Sequence, residues 1–232
     1  MISEIHDDNI KMQPNSPMIK NIISILEEYI RSKKLLCHGG IAINNLMPKS
    51  DKIYDLNREI PDYDVLSPNN KVNIKELVEK FKYYGFNNIY VKLSKKQIPT
   101  IIINNTEIVD ICEVNSDIFK KLSKNAIKVN GILNVPVSYI YIDMYRQLSS
   151  ATEIDMVKRE KITKRYMLLN KHYPTKNITN ISNIGNITKM DLSSPPAFSG
   201  FFNNNNCIYE KYPNGAESQI ARTMKKLEEY LL

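Results

Sequence analysis

The chain has 232 residues, 42% of them apolar and 25% charged, with a formal net charge of +7. That length suits one large domain or two small ones with a sizeable core, and the positive balance favours a polyanionic partner. The three cysteines, Cys37, Cys112 and Cys207, form no CxxC pair, which argues against a disulfide framework or a zinc site and fits a reducing compartment. No run approaches the roughly 20 apolar residues of a membrane span.

The first residues, 1–15, are polar and acidic without a signal-peptide pattern and read as a loose arm. Ser16-Pro17 then sets an N-cap followed by proline at the first helical position. Ile19, Ile22, Ile23, Leu26, Tyr29 and Ile30 recur at helical spacing, which predicts an amphipathic helix over 17–33. A strand over 35–38 enters a Gly39-Gly40 turn, a short helix covers 41–46, and 47–60 is a polar loop ending at Pro61. A strand over 63–66 is followed by a Ser-Pro-Asn-Asn turn at 67–70 and a helix over 74–84 that Gly85 stops. Strands over 88–92 and 100–103 lead into an Asn104-Asn105 hairpin turn. The return strand, 107–114, alternates Ile108, Asp110 and Cys112 with Val109, Ile111 and Glu113. Cys37 and Cys112 lie in apolar runs and are expected to be buried small hydrophobes.

The second half is helical: 137–148, then a helix to about residue 170 opened by Thr152-Glu153-Ile154-Asp155, which resembles a capping box. The region 176–215 repeats Asn-Ile-Thr and Asn-Ile-Ser units and reads as loop, before a final helix over 216–232 that ends abruptly. The Asn-x-Ser/Thr sequons at Asn177, Asn180 and Asn186 follow from an AT-rich codon bias, with no secretory signal to make them glycosylation sites. The fold class is therefore α/β (α+β): a mixed sheet flanked by helices over 16–136, then a helical segment over 137–175 packing on that core.

Three carboxylates stand out. Asp62 and Asp64 in Pro61-Asp62-Tyr63-Asp64-Val65-Leu66 share one strand face, and Asp110 is enclosed by Ile108, Val109 and Ile111. A lone DxD is usually a solvated turn, but uncompensated carboxylates in apolar strands are costly unless paired or metal-bound. Such acids can cage a pair of divalent cations, Mg²⁺ by the all-oxygen chemistry, for phosphoryl or nucleotidyl transfer. Asp110 is placed next to the attacking hydroxyl, where it can accept a proton. Gly39 and Gly40, between a strand and a helix, can hold a triphosphate on backbone N–H groups. His38 fits a structural hydrogen bond better than a phosphate contact, and Asn44 and Asn45 fit either phosphate contact or a surface role. The basic residues Lys158, Arg159, Lys161, Lys164, Arg165, Lys171 and His172 are either a solvated helix face or a phosphate-binding one. Tyr139, Tyr141, Tyr145 and Tyr166 can stack bases, but their helical spacing favours the core.

The Gly39-Gly40, Asp62-x-Asp64 and Asp110 pattern resembles the nucleotidyltransferase superfamily that includes DNA polymerase beta. The segments His38-Gly39-Gly40-Ile41-Ala42-Ile43-Asn44, Ile60-Pro61-Asp62-Tyr63-Asp64, Ile108-Val109-Asp110-Ile111 and Lys164-Arg165-Tyr166 through Lys171-His172-Tyr173-Pro174 resemble a narrower group. That group is the poly(A) polymerase catalytic subunits of large cytoplasmic DNA viruses, mimivirus-like and African swine fever virus-like. The resemblance covers about residues 17–175. It implies template-independent transfer of AMP from ATP to an RNA 3′ end, with two Mg²⁺ (or Mn²⁺) ions on Asp62, Asp64 and Asp110 and the triphosphate on Gly39 and Gly40. It also implies a cytoplasmic setting, in a viral factory or virion, with no membrane. Gly40 stands where many cellular relatives carry serine, and the loop 47–60 is an insertion relative to the simplest members. The viral enzymes are longer than 232 residues, so a C-terminal domain that grips RNA or nucleotide is expected either to be missing here or to come from a second protein chain or a homodimer. The same acids also fit transfer to another acceptor (tRNA, protein or a small molecule), and the basic balance fits a non-catalytic RNA-binding subunit.

Overall fold

The computed structural model describes residues 12–94, 97–149 and 156–174. Most of the N-terminal arm, the capping-box sequence at 152–155, the Asn-rich region 176–215, Cys207 and the helix expected over 216–232 lie outside the described residues.

The first helix, α1 (Pro17–Lys33), starts as its sequence dictates: Ser16 Oγ accepts a hydrogen bond from the Ile19 N–H, and Pro17 occupies the first turn. Its stripe of Ile19, Ile22, Leu26 and Ile30 is fully buried. Strand β1 (Leu36–His38) passes directly into α2 (Gly39–Leu46), so the helix begins at the glycine pair itself and not at residue 41. A 3₁₀ turn, Lys49–Asp51, interrupts the loop that leads to β2 (Tyr63–Ser67). Helix α3 (Asn70–Tyr83) starts earlier than its apolar spacing suggested, because Asn69 Oδ1 caps it by accepting from the Val72 N–H. Gly85, at φ +90°, follows the helix in the left-handed conformation that glycine tolerates.

Strands β3 (Ile89–Leu93), β4 (Pro99–Ile103) and β5 (Thr106–Glu113) form a meander. Asn104 and Asn105 turn it with φ of 46° and 57°, both positive as a primed two-residue hairpin requires. Three elements beyond those expected follow. Helix α4 (Ser116–Lys124) is capped by Asn115, and β6 (Ile127–Val129) and β7 (Ile132–Asn134) form a hairpin around Asn130-Gly131. At three residues each, these strands are too short to show alternation. Helices α5 (Val137–Ser149) and α6 (Met156–His172) complete the described chain.

The seven strands make one mixed sheet in the order β3-β4-β5-β2-β1-β7-β6. The β2–β5 and β1–β7 pairs are parallel, and the other four are antiparallel. Tyr63 and Ser67 of β2 point to α1 and α3: the Tyr63 hydroxyl donates to Glu27, and Ser67 Oγ accepts from Asn73 Nδ2. By alternation, Asp64 therefore projects from the opposite face. Cys37 and Cys112 are buried, as expected of small hydrophobes. No helix among the described residues is long and apolar enough to cross a membrane.

Candidate active site

The register of the sheet places four polar residues in one row. His38 on β1 faces Asp64 on β2, Asp64 faces Asp110 on β5, and Asp110 faces Thr100 on β4. Neighbouring strands lie about 4.8 Å apart, so the two acids are immediate neighbours at the centre of the sheet. A register shift between Ile101 and Ile102, where β4 crosses from Val109 to Glu107, marks a bulge in β5 just before Asp110. Bulges re-aim side chains, and here Ile108 and Val109 are both buried although they are consecutive.

Thr100 Oγ1 donates to Asp110 Oδ1 at 2.5 Å, whereas no hydrogen bond to the Asp64 carboxylate is formed among the described residues. Burial is the main reason that the Asp64 pKa rises to about 7, and the charges of Asp62 and Asp143 push the same way. Arg165 and Lys161 pull it back in part. Asp110 rises to about 6, first through burial; the Thr100 bond opposes the rise, and the charges of Asp64 and Glu107 add to it. Burial lowers the pKa of His38, so its ring favours the neutral form. The His38 ring makes no hydrogen bond among the described residues, which leaves its expected structural bond unobserved.

The glycine pair lies against these acids. Gly39 has φ +60°, and a Cβ there would stand 2.5 Å from Asp64 Oδ2. A Cβ on Gly40 would collide with the Tyr54 hydroxyl and stand 2.7 Å from Arg165 Nη2. The space that a larger residue would need at position 40 is thus filled by the loop and by α6. The N-cap of α2 is His38, whose side chain makes no cap, so the first-turn N–H groups have no side-chain partner there.

Asp62 differs from its two partners. It is two-thirds exposed, and its Oδ2 lies 3.5 Å from Lys161 Nζ. Among the described residues, no three His, Cys, Asp or Glu side chains stand close enough to hold a metal ion as they are. The structure thus brings Asp64, Asp110, Gly39 and Gly40 together and leaves Asp62 in an ion pair at the rim.

Several residues singled out in the sequence have structural partners instead. Asn44 Oδ1 accepts from the Ile53 and Tyr54 N–H groups, and Asn45 Nδ2 donates to Asn134 Oδ1. Lys171 and His172 both contact Asp51 Oδ2, at 2.7 and 2.5 Å, tying the end of α6 to the 3₁₀ turn. Those two side chains are therefore docking groups that hold α6 to the 3₁₀ turn. Tyr139 and Tyr141 are buried, and the Tyr145 hydroxyl donates to Tyr166 Oη at 3.1 Å within a ring cluster between α5 and α6.

Sequence reasoning passed over Asp143, Thr100 and Tyr54. Asp143 sits on α5, held by Arg146 at 2.7 Å and by Gln147 at 2.8 Å, and its charge reaches both Asp64 and His38. Its position on the same helix face as Tyr139 and Ile140, which are buried, was a legible signal. Ile53-Tyr54, two adjacent apolar residues within the 47–60 loop, was another.

The family model for the poly(A) polymerase catalytic subunit matches residues 24–153, more than half of the chain and the span that contains the glycine pair and all three acids. The chain belongs to that family. An African swine fever virus protein bearing this name (isolate Pig/Kenya/KEN-50/1950) is 26% identical over 169 residues, which are 71% of this chain and 35% of that protein. Its counterpart from the Badajoz 1971 Vero-adapted strain is 25% identical over the same extent. This family member spans about a third of the length of the curated relatives that it matches. The Megavirus polyadenylate synthase crystal structure superposes with a TM-score of 0.61 at 24% identity, covering 68% of this chain and 32% of that one. That likeness establishes a shared fold over the part of this chain that it covers.

Proposed function

We propose that this chain carries the catalytic centre of a polynucleotide adenylyltransferase, which adds AMP from ATP to RNA 3′ ends. The observation that carries the reading is the facing register of Asp64 and Asp110 beside the uncapped first turn of α2. Burial raises the pKa of both carboxylates, the charges of Asp62 and Asp143 add to the rise at Asp64 and that of Asp64 adds to the rise at Asp110, and the donor set is all oxygen, so the residues fit Mg²⁺ (or Mn²⁺). Asp64 and Asp110 would hold the ions, with Asp62 joining them by exchanging Lys161. Such ions supply neutralisation of the phosphate charge and activation of the attacking hydroxyl.

The chain's own residues set up the rest. Gly39 and Gly40 let a triphosphate approach the N–H groups of α2, where the helix dipole favours negative charge. The RNA O3′ bonds to the α-phosphorus of ATP, the bond from that phosphorus to its bridging oxygen breaks, and pyrophosphate leaves. The 3′-hydroxyl proton passes to Asp110, whose Oδ1 is engaged by Thr100 and whose Oδ2 has no hydrogen-bond donor among the described residues. A carboxylate raised to about 6 is a competent proton acceptor near neutrality. In this reading residues 16–136 are the catalytic core and 137–175 a helical segment that walls it. RNA grip comes from chain outside the described residues or from a second chain, and the African swine fever virus relatives support a cytoplasmic viral setting.

The test is primer extension with labelled ATP, Mg²⁺ and an RNA oligomer. AMP addition that vanishes with Asp64→Asn supports the reading. Addition unchanged by that substitution, or transfer to tRNA or protein in preference to RNA, contradicts it.

A further inference from the structure

Among the described residues, Arg165 beside the site forms no ion pair. Lys161 is paired with Asp62, and Lys164 with Glu160 at 2.6 Å, both at the surface. Arg165 is partly buried, and among the described residues its side-chain partner is the neutral Tyr54 phenol: Nη2 donates to Tyr54 Oη at 3.1 Å, and the guanidinium lies 5.7 Å from the ring centroid. A guanidinium drawn out of water without a carboxylate is costly, and its planar fork matches phosphate oxygens.

The surroundings are built to hold it there. Asn44 of α2 accepts from the Ile53 and Tyr54 N–H groups, which fixes the loop that carries the phenol. Leu169, fully buried, and the Lys171–Asp51 pair fix α6 on the other side. Gly40 admits both groups to the first turn of α2, since a Cβ there would strike them. A cavity of about 420 Å³ opens alongside, and its charged lining residues are Lys161, Lys164 and Arg165 together with Glu59 and Glu160. Along the mouth of α2 the order is Asp64, Gly39, Gly40, Arg165.

We infer that Arg165, oriented by Tyr54 and Asn44, is a positioning residue that takes the polyphosphate tail of the nucleoside triphosphate. The inference rests on the adenylyltransferase reading for where the α-phosphate lies. With that phosphate at Asp64 and Asp110, the next two phosphates run past the N–H groups of α2 toward the guanidinium. A single RNA phosphodiester at the acids presents no adjacent phosphate in that direction. Arg165 holds the tail in ground state and transition state alike, so its loss raises KM for ATP more than it lowers kcat.

The experiment uses the full 232-residue chain. Binding of inorganic tripolyphosphate, ATP, adenosine and an RNA oligomer is measured calorimetrically for wild type, Arg165→Gln, Arg165→Lys and Tyr54→Phe, with ATP kinetics in parallel. The expected result is about a 10-fold loss of tripolyphosphate and ATP affinity in Arg165→Gln, with adenosine and RNA binding kept. Arg165→Lys, which retains charge and stem and keeps the fold if the glutamine variant does not, should lose about 3-fold, because the bidentate fork is gone. Tyr54→Phe should show a smaller loss in the same direction.

Equal tripolyphosphate affinity in wild type and both Arg165 variants overturns the inference. So does a loss confined to the RNA oligomer, which assigns the guanidinium to the nucleic-acid backbone. The two readings fail separately. Arg165-dependent tripolyphosphate binding without primer extension sinks the adenylyltransferase reading alone. Extension that needs Asp64 and ignores Arg165 sinks this inference alone.

Discussion

The two faces of the central sheet treat several of their polar groups differently. On the α1 and α3 side, the Tyr29 hydroxyl lies 2.8 Å from both Asn73 Oδ1 and Glu76 Oε2, Tyr63 donates to Glu27, and Ser67 accepts from Asn73. On the other side, Asp64 lacks a hydrogen-bond donor among the described residues, His38 caps nothing, and Arg165 finds a neutral phenol. Both faces belong to the same strands and the same core. Satisfied polar groups hold a fold together, whereas charged groups left short of partners are retained where a ligand will complete them. On the proposed reading, structure falls to one face and chemistry to the other.

The largest expected effect that separates the faces is on turnover. Asp64→Asn should lower AMP incorporation by about 1,000-fold or more, as loss of a charge-stabilising group at a reacting centre does, and it should leave the melting temperature unchanged or raised. Tyr29→Phe should do the reverse, lowering the melting temperature while primer extension stays near wild type. A fall in Asp64→Asn stability comparable with its fall in activity would erase the distinction. Gly39→Ala comes next. Its positive φ and the contact with Asp64 should lower activity by about 100-fold and cost roughly 1–2 kcal/mol in denaturant unfolding.

Leu169→Ala probes how α6 is held to the catalytic face. The side chain is fully buried, so calorimetry should show a loss of about 2–4 kcal/mol.

The smallest effect is on pH dependence. Because the folded-state pKa of Asp64 is raised from 3.8 to about 7, the folded chain holds this proton more tightly than the unfolded chain does. The associated stability is present below 3.8 and is lost as pH rises through about 7. Without divalent ions, wild type should lose stability relative to Asp64→Asn between about pH 4 and 7, and Mg²⁺ should restore it at the upper end. A constant difference between the two proteins across that range would contradict the burial of this acid.

Much of this was legible in the chain. The apolar spacing of α1, its Ser16-Pro17 start and the alternation around Asp64 and Asp110 are local patterns, and local patterns survive folding. The facing of Asp64 with Asp110 follows from β2 and β5 pairing in parallel, which depends on a crossover and on a bulge at Ile108 that single-strand alternation does not reveal. The small elements escaped for other reasons. Asn130-Gly131 was a plain hairpin signal between strands too short to notice, and α4 is carried by an asparagine cap with one buried leucine, Leu122. The division of the basic helix was not local at all. Lys171 and His172 dock on Asp51, whereas Arg165 meets Tyr54, and only the packing of α6 against the 47–60 loop separates the two roles.

The most direct test of the unsatisfied face is Mn²⁺ binding followed by electron paramagnetic resonance, in the presence of ATP. The account predicts a bound Mn²⁺ signal in wild type that is lost in Asp64→Asn and Asp110→Asn and retained in Tyr29→Phe. Equal binding in wild type and the two aspartate variants would show that the facing carboxylates hold no ion, and would contradict the assignment of the chemistry to that face.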